Sequence, residues 1–374
     1  PDHRHLRPVP PAPRLRHGDN RGMSLHRIPA TQAAADLSAF DAIIDARSPG
    51  EFAEDHLPGA VNWPVLDDEE RRVVGTLYKQ VNAFEARKVG AALAARNVAR
   101  HIDDWVRPLP REWRPLVYCW RGGDRSGTLA WFLERIGFRT HLVEGGYKAF
   151  RAGVREDLLQ WPARFDWRVV CGKTGCGKTR LLHALAAEGA QVLDLEELAA
   201  HRGSVLGELP NQPQPSQKAL DTRIWDRLRR FDPARPVFVE SESLRIGRLW
   251  VPAALIERMR KHGHCLMLQL PDEARVQLLL EDYAFLREDP ERLCTLLENL
   301  IELRGREQVQ QWQAGARAGT VAQVFAELMQ RHYDPGYERS LHQHFSGLAQ
   351  AATLALPDAS PASLQAAARS LLAR

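Results

Sequence analysis

The sequence predicts an α/β protein with two parallel-sheet domains, and three observations support this prediction. Short apolar strands alternate with helical patterns along the 374 residues. Two strand-to-helix junctions, at residues 118–126 and 172–179, carry glycine-containing loops suited to anions. Two domains are also the ordinary expectation at this length, and each half is long enough to bury a core.

Composition and charge are those of an ordinary globular protein, with 44% hydrophobic and 26% charged residues. The net charge of +4 permits a nucleic-acid partner without requiring one. Five cysteines at scattered spacings, without a CxxC pair, favour reduced thiols over disulfides or structural zinc. No apolar run approaches the roughly 18 residues that span a bilayer, and no secretory signal is expected. We therefore expect a cytoplasmic protein without a membrane partner.

The chain divides into four predicted segments. Residues 1–22 are rich in Arg, Pro and His and are predicted to be a disordered tail, with Met23 as a candidate start of the native protein. The first domain is predicted over 23–155 and the second over 156–345, with a helical part that begins at 272. Residues 346–374 are predicted to be a C-terminal tail without assigned chemistry.

The first domain is predicted from short apolar strands at 43–45, 116–118 and 141–143. Ser126 is expected to cap the helix after the second strand, and Gly137 is expected to end it. Apolar residues between them form one helical stripe. Strands that alternate with helices predict a parallel sheet.

Cys119 is the candidate nucleophile of this domain. It lies where a strand enters a turn before a helix, so backbone N–H groups and the helix dipole favour the thiolate. Gly122 and Gly123 let the loop close around a bound anion. Arg121 and Arg125 are suited to hold oxyanions bidentately.

The spacing from Cys119 to Arg125 also matches the C-x5-R pattern of cysteine-dependent phosphatases and arsenate reductases. That alternative predicts a cysteinyl-phosphate mechanism. Tyr118 stands where tyrosine phosphatases usually carry histidine, and the alternative gives the second domain no role.

Residues 172–179 match the P-loop pattern, with a strand at 168–171 before them and an apolar helical stripe after them. The pattern places backbone N–H groups and one ammonium around a diphosphate. The predicted phosphate-binding residues are Gly172, Thr174, Gly175, Gly177, Lys178 and Thr179. Thr179 is also a candidate ligand for Mg²⁺. Nucleotide hydrolysis does not follow, because the loop needs only a di- or triphosphate group.

Acidic and polar residues near the second domain's strand ends form a candidate second shell of this site. Carboxylates follow the strands at 191–193 and 237–239, and two polar segments lie at 201–204 and 215–218. The candidates are Asp194, Arg202, Ser204, Gln217, Lys218, Glu240 and Glu242. Ordinary turns and solvated strand ends are the alternative.

Residues 223–261 contain ten basic and five acidic residues, an excess suited to an RNA backbone. The candidate RNA contacts are Arg223, Arg227, Arg229 and Arg230. A solvated helical face is the alternative interpretation. Residues 332–337 are predicted to be an aromatic turn that either stacks a base or packs in the core.

Residues 45–52, 56–64 and 144–151 resemble the early and closing motifs of the rhodanese family. The resemblance implies a rhodanese fold in which Cys119 carries persulfide or perselenide. It also implies that Asp45 and His56 fix the strand end and the adjoining loop rather than act in chemistry.

A rhodanese-like domain joined to this P-loop resembles the tRNA 2-selenouridine synthase family over roughly residues 23–340, with further matching motifs at 194–196, 201–204, 215–218, 240–243 and 332–335. The resemblance implies a transferase that acts on wobble 2-thiouridine in tRNA. Its substrates would be geranyl diphosphate and selenophosphate, with no tightly bound cofactor except Mg²⁺ as a candidate. The P-loop would serve geranylation, and Cys119 would serve selenation as selenium carrier or nucleophile. Asp124 departs from the uncharged residue expected in the cysteine loop.

Two other functions stay open at this point. One is the cysteine-dependent phosphatase or arsenate reductase. The other is a non-enzymatic RNA-binding P-loop protein with a degenerate rhodanese domain, although both loops are intact in the sequence.

Overall fold

A computed structural model describes residues 25–373. In this part of the chain the strands form two five-stranded parallel sheets and one two-stranded antiparallel ribbon. The segment 1–22, predicted to be disordered, and the candidate start at Met23 lie outside the described residues.

The first domain contains the elements from β1 to α6. In chain order these are β1 (His26–Pro29), α1 (Ala30–Ala35), β2 (Ala42–Asp45), α2 (Pro49–Glu54), β3 (Ala60–Asn62), α3 (Asp68–Gln80), α4 (Ala83–His101), β4 (Pro115–Tyr118), α5 (Asp124–Ile136), β5 (His141–Glu144) and α6 (Gly146–Gln160). The sheet order is β1-β5-β4-β2-β3, and every pair is parallel. All four residues of β4 are buried, as expected of a central strand covered by helices on both faces.

Helix α5 begins earlier than the sequence predicted. Gly123 is its N-cap residue, so the prediction of Ser126 as N-cap is wrong. Ser126 instead lies in the first helical turn, fully buried, with its hydroxyl directed at Cys119. Gly137 follows the last residue of the helix with φ of 120°, as expected of a glycine that ends a helix.

The second domain contains the elements from β6 to α18. In chain order these are β6 (Trp167–Cys171), α7 (Lys178–Ala187), β7 (Gln191–Leu193), α8 (Leu195–Ala199), α9 (Gln217–Leu228), β8 (Val237–Glu240), β9 (Arg245–Ile246), β10 (Leu249–Trp250), α10 (Ala253–His262), β11 (His264–Gln269), α11 (Asp272–Asp282), α12 (Ala284–Glu288), α13 (Pro290–Glu298), α14 (Ile301–Arg304), α15 (Arg306–Arg317), α16 (Val321–Leu328), α17 (Asp334–His344), β12 (Ala352–Ala355) and α18 (Pro361–Leu372). The sheet order is β12-β11-β6-β8-β7, again all parallel. Strand β6, which leads into the P-loop, is central.

Residues 346–374 were predicted to be a tail, and the structure corrects this for the part that it describes. Strand β12 pairs with β11 at the edge of the sheet. Helix α18 packs its apolar stripe, including Leu364 and Ala368, against Leu181 and Leu185 of α7. The Ala- and Leu-rich composition therefore covers one face of the sheet.

Residues 332–337 are helical, so the predicted aromatic turn is wrong. A π-helical segment, Met329–Tyr333, runs directly into α17. Pro335 is tolerated because it lies in the first turn of α17, where a backbone N–H needs no helical partner. The helices α11 to α16, with Leu206 and Met329, form a separate apolar core that includes Trp312 and Phe325.

The two domains share buried side chains. Phe150 of α6 contacts Trp225 of α9 edge-on, with ring centroids 5.3 Å apart. Asp55 accepts hydrogen bonds from Tyr147 of the first domain (2.8 Å) and from Thr222 of the second (2.9 Å). Arg151 donates to Thr222 and pairs with Asp221 at 2.9 Å. Helix α6, which follows β5 and whose first turn bonds the cysteine loop, is thus fixed directly to α9.

Within residues 25–373 no helix combines the length and the apolar character needed to cross a membrane.

Candidate functional site

Cys119 lies at the carboxyl end of β4 and directly before α5, as its sequence context predicted. Its side chain is 3% exposed. The hydroxyl of Ser126 donates to Sγ at 3.0 Å, and the sulfur lies at the amino terminus of the 13-residue α5. This position brings a hydrogen-bond donor and the positive end of a helix dipole to the sulfur.

The loop around Cys119 is held by the segment that follows β5. The backbone N–H of Tyr147 donates to the carbonyl of Cys119 at 2.8 Å, and that of Lys148 donates to Trp120 at 2.9 Å. Gly122 has φ of +70°, and a Cβ there would lie 2.8 Å from the carbonyl of Val143. Only glycine fits such a position, so the loop and this segment together fix the direction of the sulfur.

The predicted anion-binding residues Arg121, Gly122, Gly123 and Arg125 line one cavity of about 1320 Å³ together with Cys119. Arg125 is already paired, because its Nη1 donates to Glu51 Oε2 at 2.6 Å. Burial alone would raise the pKa of Glu51, but the hydrogen bond and charge of Arg125 lower it below its usual value. An anion in this loop therefore has to compete with Glu51 for Arg125.

Asp45 and His56 lie outside this cavity lining. Asp45 is buried and accepts from Arg47 Nη2 at 2.6 Å. The ring of His56 stacks on Phe52, with centroids 4.0 Å apart, and its Nδ1 lies 2.9 Å from the Phe52 carbonyl. Asp45 thus holds the loop after β2, whereas His56 packs on helix α2.

The P-loop connects β6 to α7 around the side chain of Lys178. Lys178 Nζ donates to the carbonyls of Gly172 (3.0 Å) and Lys173 (3.4 Å). Gly172 has φ of +153°, and a Cβ there would lie 2.5 Å from Cys176 Sγ, so the position requires glycine. Tyr337 of α17 accepts a hydrogen bond from the Gly172 N–H at 2.8 Å. The segment 332–337 thus supports the P-loop rather than standing free.

Arg275 is a residue of this site that sequence reasoning missed. Its side chain is 2% exposed, and its Nε and Nη2 donate to the Thr174 carbonyl at 3.0 and 2.8 Å. Nη2 also donates to Asp334 at 2.6 Å. Burial opposes this charge, but Asp334 and Asp272 raise the pKa of Arg275 above its usual value. Asp334 within the motif at 332–335 was the available signal, but its partner could not be identified from sequence.

Replacing Arg275 by alanine is expected to lower the free energy of unfolding by about 3 kcal/mol, because Asp334, only 14% exposed, would lose its hydrogen-bonded partner and keep only Lys173 at 3.9 Å. Diphosphate affinity should fall as well, because Thr174 loses its support. Urea unfolding and calorimetric titration with diphosphate measure the two effects. Arg317→Ala is the control, since it breaks an exposed pair with Glu291 that should contribute less than about 1 kcal/mol. Equal losses for both variants would contradict this role.

Three carboxylates, Glu196, Glu240 and Glu242, lie beside the P-loop with oxygens within 4.8 Å of one another. Burial raises the pKa of Glu240 to about 7, although Lys178 opposes the shift. Burial also raises the pKa of Glu242, and burial with the charges of Glu240 and Glu242 raises that of Glu196. Burial opposes the charge on Lys178, but acidic groups around it, including Glu240, raise its pKa.

This donor set fits a hard divalent cation such as Mg²⁺, which prefers carboxylate oxygens. One carboxylate oxygen of Glu240 is buried without a hydrogen-bond partner within residues 25–373, as a cation ligand would be. Glu196, Glu240 and Glu242 would hold the ion, with Thr179 adjoining. A bound cation there would neutralise charge on a diphosphate. Glu196, in the first turn of α8, was absent from the predicted shell although it belongs to the motif at 194–196.

Asp194, a residue of the predicted shell, lies close enough to the three carboxylates that, in addition to burial, its charge raises the pKa values of all three. Its Oδ1 accepts from the Glu197 N–H at 2.8 Å and caps α8, and its Oδ2 lies 2.9 Å from His183 Nε2. It is therefore a helix cap outside the group of three carboxylates.

A cavity of about 520 Å³ opens from the P-loop. Arg202 and Ser204 line it as predicted, and Ser204 contacts the Tyr283 hydroxyl at 3.2 Å. Its polar end is the P-loop with Glu240 and Glu242. Its lining also contains an apolar group of side chains formed by Leu278, Leu279, Tyr283, Leu303, Tyr333 and Leu341.

Gln217 and Lys218 do not reach this cavity, so their predicted membership of the P-loop shell is corrected. Gln217 Nε2 donates to the Trp250 carbonyl at 2.8 Å, and Lys218 pairs with Glu54 of the first domain at 2.7 Å. They lie in the first turn of α9, which faces the other domain.

The four candidate RNA contacts have intramolecular partners. Arg229 and Arg230 both bind Asp226, at 2.8 and 2.7 Å. Arg223 donates to the Leu198 carbonyl at 3.0 Å, and Arg227 lies 3.9 Å from a Glu197 oxygen. These four arginines are absent from the linings of the two cavities at Cys119 and the P-loop.

Two protein-family models match the chain. The model for a rhodanese-like domain matches residues 29–153, and that for the tRNA 2-selenouridine synthase AAA domain matches residues 165–292. Together with the two parallel sheets they confirm the predicted fold class. Among solved structures, a rhodanese-related protein from Thermoplasma volcanium is 18% identical and covers 34% of this chain and 92% of its own, with a TM-score of 0.23.

Three curated relatives share the name tRNA 2-selenouridine synthase. The Nitrosomonas europaea protein is 36% identical over 64% of this chain, and the Alcanivorax borkumensis protein is 36% identical over 64%. The chain spans less than two thirds of these two relatives, 63% and 66% of their lengths. A Sulfurovum protein is 30% identical over 81% of this chain and 90% of its own length.

Proposed function

The chain belongs to the tRNA 2-selenouridine synthase family, and from this premise we propose that it replaces the sulfur of wobble 2-thiouridine with selenium in two steps. The observation that carries the proposal is the pair of cavities in one chain. One contains the Cys119 thiol, and the other joins the P-loop to an apolar lining. Such a pair suits a prenyl transfer followed by a substitution.

In the first step, the sulfur of 2-thiouridine forms a bond to C1 of geranyl diphosphate while the bond from C1 to oxygen breaks. Diphosphate leaves, and the nucleoside loses its N3 proton. The P-loop N–H groups and Lys178 stabilise the charge that develops on the leaving group. The apolar residues of the same cavity offer the geranyl chain a surface away from water.

In the second step, Cys119 Sγ attacks C2 of the alkylated base and the geranylthiolate leaves with a proton. Selenium of selenophosphate then attacks C2 and expels Cys119. Water cleaves the phosphorus–selenium bond, which gives phosphate and 2-selenouridine with its N3 proton restored. Alkylation assists this step, because a thioether sulfur leaves as a thiolate from a ring that has lost its thiocarbonyl resonance.

This role for Cys119 needs neither oxidant nor reductant. The carrier alternative would place selenium on Cys119 as a perselenide, and its transfer to carbon would require a second thiol as reductant. The other four cysteines, Cys171, Cys176, Cys265 and Cys294, all belong to the second domain and are buried. We therefore propose that Cys119 acts as a nucleophile rather than as a selenium carrier.

The cysteine-phosphatase alternative is less well supported, because it leaves the P-loop, its three carboxylates and its apolar lining without a role.

The proposal is tested by supplying one co-substrate at a time to tRNA that contains 2-thiouridine. Geranyl diphosphate alone should give geranylthiouridine and one diphosphate for each modified nucleoside. Selenophosphate alone should give no product. Phosphate release from an aryl phosphate without tRNA would favour the phosphatase, and bound but unmodified tRNA would favour the RNA-binding alternative.

The apolar lining of the P-loop cavity makes a separate prediction. Leu303 lines it and is 67% exposed, so Leu303→Glu should raise the KM for geranyl diphosphate about tenfold with little effect on folding, since it removes apolar contact and adds like charge. Steady-state prenylation kinetics measure this. Leu159→Glu is the control, because Leu159 is 72% exposed and lies outside the cavity lining. An unchanged KM in Leu303→Glu would mean that the geranyl chain does not bind against this part of the cavity.

A further inference from the structure

The cavity beside Cys119 is much larger than selenophosphate requires. It measures about 1320 Å³, above the range of about 300–1,000 Å³ that encloses drug-sized ligands. Helices α3, α4 and α5 line it, together with the cysteine loop. The space is therefore large enough to accommodate a second, larger group.

The lining combines apolar side chains with arginines. The apolar part contains Val74, Ala94, Trp131, Phe132 and Leu142, with Trp131 substantially exposed. The arginines are Arg27, Arg87 and Arg121, with Arg71 and Arg125 beside them but paired with Glu51. An apolar surface next to several guanidinium groups suits a ligand that joins a hydrocarbon to phosphates.

Two glycines keep part of this space open. Gly75 of α3 and Gly127 of α5 line the cavity, and a Cβ at either position would meet no atom within 4 Å. Close packing does not explain these two glycines, because a Cβ would have room at both positions. Helix propensity does not explain them either, because glycine is the least favourable residue after proline inside a helix. Gly90 of α4 differs, because a Cβ there would lie 3.4 Å from Val74 and the position serves helix packing.

We propose that this cavity binds the geranyl chain of the alkylated intermediate while C2 of the base lies at Cys119 Sγ. The inference deepens the proposed function and rests on it. In the intermediate, the leaving sulfur joins C2 to the first carbon of the chain. When C2 is within reach of Cys119, the chain must therefore extend into the space around the thiol, and that space is this cavity.

A prenyl subsite here would let the second step recognise the product of the first. Unalkylated 2-thiouridine would lose the apolar contact, whereas the arginines would hold the flanking phosphates of either tRNA. Selectivity would then come from buried hydrocarbon, for which each methylene changes affinity by about fourfold when fully enclosed. The chain would thus have two prenyl-binding surfaces, one for the donor at the P-loop and one for the intermediate.

The test is a chain-length series on the full protein. Transfer RNAs that carry S-geranyl, S-dimethylallyl or S-methyl 2-thiouridine are incubated with selenophosphate under single-turnover conditions. We expect kcat/KM for S-geranyl to exceed that for S-dimethylallyl by at least about tenfold. Equal use of the three would overturn the subsite and leave the proposed function intact. Conversion of none, with tRNA bound, would overturn the proposed function and the subsite with it.

Cavity-filling variants locate the subsite. Gly75→Leu should raise the KM for the S-geranyl substrate at least about tenfold and reduce the preference for long chains. Thr76→Leu is the matched control on the same helix, exposed and outside the lining. Circular dichroism verifies folding of both. If Gly75→Leu weakens all three substrates equally, the cavity holds a nucleotide rather than the chain, which overturns the inference.

A binding measurement gives a readout independent of turnover. The probe is the nucleoside S-geranyl-2-thiouridine with a diazirine at the end of the chain. After irradiation, label on residues of α3, α4 or α5 is expected, and Gly75→Leu should remove it. Label confined to the P-loop cavity, or none, would contradict the proposal.

Discussion

Replacing Cys119 by alanine should stop selenation while geranylthiouridine accumulates in the tRNA. The thiol is the group that we place at C2, and loss of a catalytic nucleophile typically lowers the rate about a thousandfold or more. Geranylation should stay within about twofold of the wild-type rate, because the P-loop lies in the other domain. Nucleoside mass spectrometry of tRNA at fixed times measures both products.

Cys294→Ala is the matched control for this variant. Cys294 is also a buried free thiol, but it lies in the helical core of the second domain. The Cys294→Ala variant should retain both geranylation and selenation. Loss of geranylation and selenation together in Cys119→Ala, with folding intact, would contradict the assignment of one step to each site.

Replacing Lys178 by methionine should have the opposite effect and lower geranylation by about a hundredfold or more, since a preorganised donor to the leaving group is lost. Methionine keeps much of the side-chain volume without the charge. Selenation of tRNA that already carries geranylthiouridine should continue, because Cys119 and its cavity are unchanged. The two half-reactions are measured separately with prepared substrates.

Lys173→Met is the control for the second variant. Lys173 lies in the same loop, but it is more exposed and pairs with Glu338 at 2.8 Å. Its replacement should leave geranylation within a few fold of the wild-type rate. Equal losses in the two variants would mean that general loop charge, rather than the position of Lys178, stabilises the leaving group.

Local sequence was sufficient for the two loops and the strands that lead into them. A strand, a glycine-rich turn and a helix follow one another in the chain, so neither Cys119 nor Lys178 needed tertiary information. The fold class followed in the same way from the alternation of strands and helices, and it is confirmed by the two parallel sheets.

Contacts between distant segments were the part that sequence could not supply. Arg275 supports Thr174 across about a hundred residues, and Glu196 joins Glu240 and Glu242 only when β7 and β8 lie side by side. The segment that contains α18 was predicted to be a tail for the same reason, because its apolar stripe packs against α7, a distant helix in the chain. Ser126 was predicted to be the N-cap because serine near a helix start is a common cap. In the structure its hydroxyl donates a hydrogen bond to Cys119 Sγ instead.

The most direct test of the central claim is a time course with the wild-type protein, tRNA containing 2-thiouridine, geranyl diphosphate and selenophosphate, followed by nucleoside mass spectrometry. We expect geranylthiouridine to rise first and then to decline as 2-selenouridine forms, with one geranylthiol released for each selenium incorporated. If 2-selenouridine forms at the same rate without geranyl diphosphate, or if bound 2-thiouridine stays unchanged, the two-step account is contradicted.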